Sequence, residues 1–165
     1  MEKLEVWLRG PMAGVPALLQ PVAHALLQAR EEVNELLVDF PDTLLNEKPA
    51  GVASPGFHLK HIAGVLDRLF TYARAESLSK EQLSFLKAET VDDQHGTGEL
   101  IVKFNHAINT AVATLPGFEK HLNEARGVGR AQIPSTVMGL LFHSAEHTQR
   151  HVGQLIVTVR FLQKQ

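Results

Sequence analysis

The stretch HSAEHTQRHVGQL, residues 143–155, places His143, His147 and His151 at successive four-residue steps. Residues i, i+4 and i+8 of an α-helix lie nearly in a column, so the three imidazoles would line one face of a helix. Imidazole is the commonest side-chain metal ligand, and two histidines one turn apart can bind the same ion. The stretch therefore predicts a metal site carried by a helix.

Helical periodicity extends over most of the chain. Apolar residues recur at intervals of three and four, and the alternation typical of strands is scarce. Four long amphipathic helices of ~20 residues predict an all-α four-helix bundle with long connections. The helices are predicted over about 17–38, 54–76, 97–115 and 134–162, with a short one at about 79–88. The glycine-rich segment 126–132 is predicted to be a loop or a short edge strand.

Composition is that of an ordinary globular protein. The 165 residues are 44% hydrophobic and 21% charged, with a mean hydropathy of −0.04, and they predict a single helical-bundle domain over 1–165. The net charge of −2 gives no reason to expect nucleic acid or an anionic membrane as a partner. The chain has no cysteine, which excludes disulfides, thiolate ligands and a cysteine nucleophile.

Neither a signal peptide nor a membrane-spanning segment is expected from the sequence. The N-terminal MEKLEVWLRG carries acidic residues and lacks a long apolar run, so a signal peptide is not expected. No segment approaches the ~18 consecutive apolar residues that span a bilayer. We therefore expect a cytoplasmic protein that does not insert into a membrane.

Histidines occupy positions where helical periodicity expects apolar residues. His147 and His151 lie within the apolar stripe of the fourth long helix, and His61 shares a face of the second with Val65 and Leu69. Burying an imidazole costs free energy unless its nitrogens are hydrogen-bonded or coordinated. Bundles build metal sites from inward side chains on facing helices. We therefore predict a site formed by His61, His147 and His151.

Other residues near these three are expected to play supporting roles. His58, one turn before His61, is the competing ligand from the second helix or a hydrogen-bonding neighbour of a ligand. His143 lies ~12 Å along the helix axis from His151, too far for both to bind one ion tightly, so we expect it to pack beside the site. Gln154 is expected to hydrogen-bond a ligand or a histidine. Gly153 is expected to allow close helix packing.

The ligand chemistry narrows the cofactor. Three neutral imidazoles leave a coordination position open for water or substrate, which is typical of catalytic rather than structural zinc. A divalent ion is therefore expected, and nickel, iron and manganese are compatible with the donors as well as zinc. Glu146 points about 100° away from His147 around the helix, so we expect it on a solvated face. No catalytic residue is assigned.

Two segments, SPGFHLKHIAGVLDRL at 54–69 and HTQRHVGQL at 147–155, resemble the DinB/YfiT-like superfamily. The family pattern, a histidine on helix two and H-x-x-x-H-x-G-Q on helix four, falls on His61, His147, His151, Gly153 and Gln154. The resemblance implies a bundle of up-down-down-up topology, commonly a homodimer, in which three histidines hold a divalent ion, often zinc or nickel. Where the family commonly has H-R-G-Q this chain has H-V-G-Q, so no role of that arginine is carried over.

The resemblance also implies candidate activities. Characterised members of the superfamily include S-transferases that use low-molecular-weight thiols and a thiol-dependent maleylpyruvate isomerase. The leading hypothesis is a metal-dependent enzyme that activates a thiol or water for transfer to, or hydrolysis of, a small-molecule substrate. The alternatives are a non-catalytic bundle that binds a metal or small ligand, and a dimerisation bundle whose histidines bond one another.

Overall fold

The computed structural model describes residues 3–92 and 94–164, and within them it is mainly helical. These residues form five α-helices: α1 (Gln20–Leu36), α2 (Pro55–Ala73), α3 (Lys80–Ala88), α4 (Thr97–Thr114) and α5 (Val137–Leu162). Two short strands, β1 (Ala125–Val128) and β2 (Ile133–Thr136), pair in antiparallel register. Short 3₁₀ turns lie at Val6–Arg9, Ala17–Leu19, Asp42–Leu44, Pro49–Gly51 and Leu115–His121. The predicted all-α fold class is confirmed.

Local sequence signals account for several helix starts. The Ser54 side chain accepts a hydrogen bond from the backbone N–H of Phe57, with proline in the first turn of α2. At the start of α3, Ser79 and Gln82 form a reciprocal capping box. Both starts were predicted from the sequence.

The start of α5 differs from the prediction. The helix begins at Val137, capped by the Thr136 side chain, rather than at Pro134-Ser135. The reason is that Ile133–Thr136 pairs with Ala125–Val128, so the chain enters the helix from a strand. Of the two alternatives for segment 126–132, the structure contains a short strand followed by a turn, with Gly129 at a φ of +67°.

Four of the helices pack around one apolar core. Helices α1 and α2 lie diagonally, and each contacts both α4 and α5, while α3 packs on α2. The largest fully buried side chains come from all four members of this ring and the segments that join them; they are Leu19, Leu26, Leu45, Leu59, Ile62, Leu66, Leu100, Phe104, Ile108, Leu115, Leu141 and Leu155. This core fixes how the helix faces meet.

Hydrogen bonds show that α2 and α4 start at the same end of the ring. Leu45 accepts from the N–H of Gly56 in the first turn of α2, and Asp42 accepts from the N–H of Thr97 at the start of α4. Phe70, near the end of α2, packs against Phe118, just after α4. Helices α2 and α4 are therefore parallel.

Side-chain hydrogen bonds between α1 and α4, and between α2 and α5, give the directions of the other helices. Asn34 hydrogen-bonds Asn105 while Arg30 hydrogen-bonds Asn109, so α1 and α4 are antiparallel. The histidine pairs 58–151 and 61–147 make α2 and α5 antiparallel. The order is up-down-down-up, as the resemblance implies. No helix in the described part of the chain is long and apolar enough to cross a membrane.

The N-terminal segment is tied to α1 by an ionic cluster, and this gives a stability prediction. Arg9 donates to both oxygens of Glu31 at 2.7 and 2.8 Å, and Lys3 lies 3.0 Å from the same carboxylate. The hydrogen-bonded Arg9 guanidinium, assisted by Lys3 against partial burial, lowers the pKa of Glu31 to about 2. Because this folded-state pKa is below that of the unfolded chain, the contribution is complete above about pH 4.5 and is lost as the pH falls toward 2.

We expect Glu31→Gln to lower the free energy of unfolding by about 1 kcal/mol at pH 7. The difference from wild type should shrink steadily below pH 4.5. Urea denaturation at pH 7, 4 and 3 measures it, with Glu47→Gln at an exposed position as control. A difference that did not change with pH would contradict the assignment.

Candidate metal centre

The antiparallel contact between α2 and α5 brings the three predicted histidines together. One ring nitrogen from each of His61, His147 and His151 lies within 4.8 Å of the others. The Nε2 atoms of His61 and His147 are 2.9 Å apart, and the ring centroids of His61 and His151 are 4.5 Å apart. All three side chains are partly buried, so the cluster lies at the edge of the core rather than in its centre.

His61 is hydrogen-bonded to a buried carboxylate. His61 Nδ1–H donates to Glu89 Oε2 at 2.8 Å, which leaves a lone pair on Nε2, the nitrogen that faces His147. The other Glu89 oxygen accepts from Arg68, and the Glu89 side chain is only 3% exposed. Metal-bound histidines usually donate their second ring N–H to a carboxylate or carbonyl. The arrangement around His61 has this form.

His58 is buried next to the cluster and contacts His151. It is 2% exposed, and its Nδ1 lies 3.0 Å from Nδ1 of His151, so one of the two rings donates to the other. His151 Nε2 is then the nitrogen left for an ion. Of the two candidates on α2, the structure therefore places His61 in the cluster of three and His58 beside a member of it.

One histidine nitrogen of the cluster has no hydrogen-bond partner among the described residues. Nδ1 of His147 is buried and has no hydrogen-bond partner within the described ranges. A buried polar atom without a partner costs free energy unless another group compensates for it. Uncharged nitrogen donors without cysteine suit zinc, nickel or ferrous ions. The residues present therefore fit a divalent ion.

Burial keeps these imidazoles neutral. It lowers the pKa of His58 and of His147 to about 4 and that of His151 to about 3, and the neighbouring His61 adds to each shift. Neutral imidazole is the form that binds a metal. At neutral pH His147 and His151 are thus already in the protonation state that a metal ligand requires.

An aromatic ring covers one side of the cluster. Phe57 stacks on His61 with ring centroids 5.1 Å apart and planes 12° from parallel, and it meets His58 edge-on at 5.6 Å. Such a ring shields the imidazoles from water and restricts their rotation. Phe57 lies one turn before His61, and its role was not predicted.

The other predicted neighbours lie outside the cluster. His143 is half exposed and packs against His147 with ring centroids 5.3 Å apart, and its Nδ1 is 3.5 Å from Glu146. Gln154 is exposed, and within the described residues no hydrogen bond joins it to a histidine. The expectation for Gly153 was wrong, because Gly153 is exposed and a Cβ there would meet nothing within 4 Å.

Sequence reasoning missed the residues that hold His61 in place. Glu89 lies 28 positions from His61, immediately after a short helix, and Arg68 reads as one more charge on an amphipathic helix. Glu89 has no spacing that links it to the histidines, and Arg68, seven residues after His61 on the same helix, was not singled out. The one available signal was Gly64, a glycine inside a helix between His61 and Arg68.

Comparison with known proteins identifies the family of the chain. The chain belongs to the DinB superfamily, whose family model matches residues 25–155. A conserved protein from Enterococcus faecalis has a similar structure, with a TM-score of 0.63 and 20% identity over 89% of this chain and 98% of that one. A Streptococcus pneumoniae protein gives a TM-score of 0.62 and 16% identity over 87% and 88%. These likenesses show the fold alone, and no curated protein matches the chain.

The lowered pKa values predict that mild acid destabilises the metal-free protein. The pKa of a histidine in the unfolded chain is near 6.5. In the folded protein the pKa is lowered to about 4 for His58, about 4 for His147 and about 3 for His151. Between these values only the unfolded chain binds the protons, so stability falls as the pH is lowered, by up to about 1.4 kcal/mol per pH unit for each histidine.

Denaturation of chelator-treated protein at pH 7, 6 and 5 measures this slope. The His147→Ala variant should show a smaller fall in the free energy of unfolding between pH 7 and 5 than wild type. The control His106→Ala, at an exposed position on α4, should differ less from wild type. Equal slopes in wild type and in His147→Ala would contradict the assignment.

Proposed function

We propose that this protein is a divalent-metal-dependent enzyme in which His61, His147 and His151 hold the ion and a thiol or water is activated for transfer or hydrolysis. The observation that carries the proposal is the convergence of three imidazole nitrogens within 4.8 Å of one another. Membership of the DinB superfamily is consistent with it. Three histidine ligands leave a position open for an exogenous ligand, as in catalytic rather than structural sites.

Each neighbouring side chain has a definite task in this proposal. A bound divalent ion would lower the pKa of a coordinated thiol or water and so supply a nucleophile at neutral pH. Glu89 keeps the proton on Nδ1 of His61, His58 occupies Nδ1 of His151, and Phe57 excludes water from one side of the rings. The protein thereby presents neutral, oriented nitrogen donors.

The expected ion is zinc or nickel, as is frequent in the superfamily, followed by iron and manganese. For the substrate we favour a low-molecular-weight thiol together with a small electrophile. The chain has no cysteine, so a thiol nucleophile would have to come from a cosubstrate. As is common in the superfamily, we expect a homodimer, and α5 exposes Phe142, Val157 and Phe161 that could meet a second copy.

One observation favours the alternative of a non-catalytic metal-binding or small-ligand-binding bundle. The carboxylates near the cluster are both engaged, Glu89 with Arg68 and Glu146 with Arg150. The hydrogen bond from Arg150 lowers the pKa of Glu146, so it is poorly suited to act as a general base. An enzyme built on this site would depend on the ion to generate its nucleophile.

The first experiment is metal analysis of protein purified without a histidine tag. We expect close to one divalent ion per chain in wild type and in the exposed-site control His106→Ala, with the ion lost in His61→Ala and His147→Ala. Elemental mass spectrometry gives the content directly. Wild type that binds no zinc, nickel, iron or manganese even after reconstitution would refute the metal site.

Turnover separates the enzyme from the binding bundle. The metal-loaded protein should transfer low-molecular-weight thiols to alkylating electrophiles, or hydrolyse activated esters, at a rate that falls at least about 100-fold in His147→Ala because the activated nucleophile is lost. If a broad panel gives no turnover above that of His147→Ala, the non-catalytic alternative holds.

A further inference from the structure

We propose that Glu89 and Arg68 form a positioning pair that fixes the ring orientation and tautomer of His61, and that Gly64 provides the space on α2 which this pair requires. The inference deepens the proposed function and rests on it, since fixing His61 matters chemically when the ring is a metal ligand. It assigns a role to three residues that lie outside the histidine cluster.

The first support is that both oxygens of one buried carboxylate are committed. Glu89 Oε2 accepts from His61 Nδ1 at 2.8 Å, and Oε1 accepts from Arg68 Nη1 at 2.5 Å. The side chain of Glu89 is 3% exposed and that of Arg68 is 10% exposed. A carboxylate held at both oxygens and removed from water cannot rotate freely, so it holds the imidazole in one orientation.

The second support is the shape of α2 beneath the pair. His61, Gly64 and Arg68 follow one another at i, i+3 and i+7, so they lie along one face of the helix. A Cβ on residue 64 would overlap Glu89 Oε1 and come within 2.6 Å of Arg68 Nη1 and 2.9 Å of Phe85 Cε1. Real Cβ atoms do not approach other atoms so closely, so any other side chain would displace the carboxylate.

The third support is the position of Gly64 in a helix interior. Glycine is unfavourable there because it loses the most backbone freedom on helix formation. The close approach of Glu89 and Arg68 gives a physical reason for it. At Gly98 in α4, by contrast, a Cβ would meet nothing within 4 Å.

The consequence concerns which nitrogen of His61 carries the proton. When Nδ1–H is directed at Glu89, the lone pair of the ring lies on Nε2. This Nε2 atom faces the cluster and is 2.9 Å from Nε2 of His147. If the carboxylate moves away, the ring can adopt the other tautomer and rotate. The site then loses a pre-formed donor while keeping all three histidines.

The test uses Glu89→Gln and Gly64→Ala, with Gly98→Ala as a matched control at a helical glycine. Three quantities are measured on the full chain: the zinc dissociation constant by competition with a chromophoric chelator, the thermal unfolding of the metal-free protein, and the tautomer of His61 at pH 8 by nitrogen-15 NMR of histidine-labelled protein. We expect zinc affinity to fall about 10- to 100-fold in Glu89→Gln and Gly64→Ala and to be unchanged in Gly98→Ala.

In metal-free wild type we expect the Nδ1–H tautomer of His61, and in the two variants a mixture of both. Metal-free wild type with the Nε2–H tautomer would overturn the proposal even if the variants failed to fold. Variants with reduced thermal stability but with wild-type zinc affinity and tautomer would also overturn it, leaving a structural role. If wild type bound no zinc, the proposed function would fail, while the tautomer would still decide the role of Glu89.

Discussion

The antiparallel contact between α2 and α5 is the constraint on which the site depends. On α2 the histidines are three residues apart, and on α5 they are four apart, which is about one helical turn in both cases. When the helices run in opposite directions, His58 therefore meets His151 while His61 meets His147. A shift of one turn would break both pairs, so the apolar packing that sets the register also assembles the cluster.

The same packing gives the imidazoles their chemical character. The same two helices bury Ile62 and Leu155 completely, and partial burial at the edge of this core disfavours the charged form of a histidine. Neutral rings have lone pairs to offer, whereas protonated rings would repel one another and any cation. Placing histidines at the border of the core thus costs stability in acid and supplies ligand nitrogens at neutral pH.

Much of this structure follows from sequence, and the remainder does not for identifiable reasons. Helical periodicity, together with the caps at Ser54 and Ser79, predicts the helices, and i, i+4 spacing brings His147 and His151 to one face. The strands at 125–128 and 133–136 are four residues each, and neither contains a buried residue, so their pairing with each other decides their structure rather than local propensity.

The contacts around Glu89 could not be predicted because they join residues far apart in sequence without a recognisable spacing. Gly153 illustrates the opposite error. Its position beside His151 suggested a packing role, but packing depends on which face a residue presents, and residue 153 faces solvent. The ligand candidates could be found by periodicity alone, whereas the groups that orient them required the tertiary structure.

Helix α3 shows how the fold uses a weakly anchored element. None of its residues is buried, so its apolar contribution to the core is small. Yet Phe85 lies against Gly64, and Lys60 donates to the carbonyl of Val91, and together these contacts hold Glu89 in its buried position. Elements with few buried contacts open at low free-energy cost. Opening of α3 would therefore separate Glu89 from His61, while the contact between α2 and α5 would still bring the histidines together.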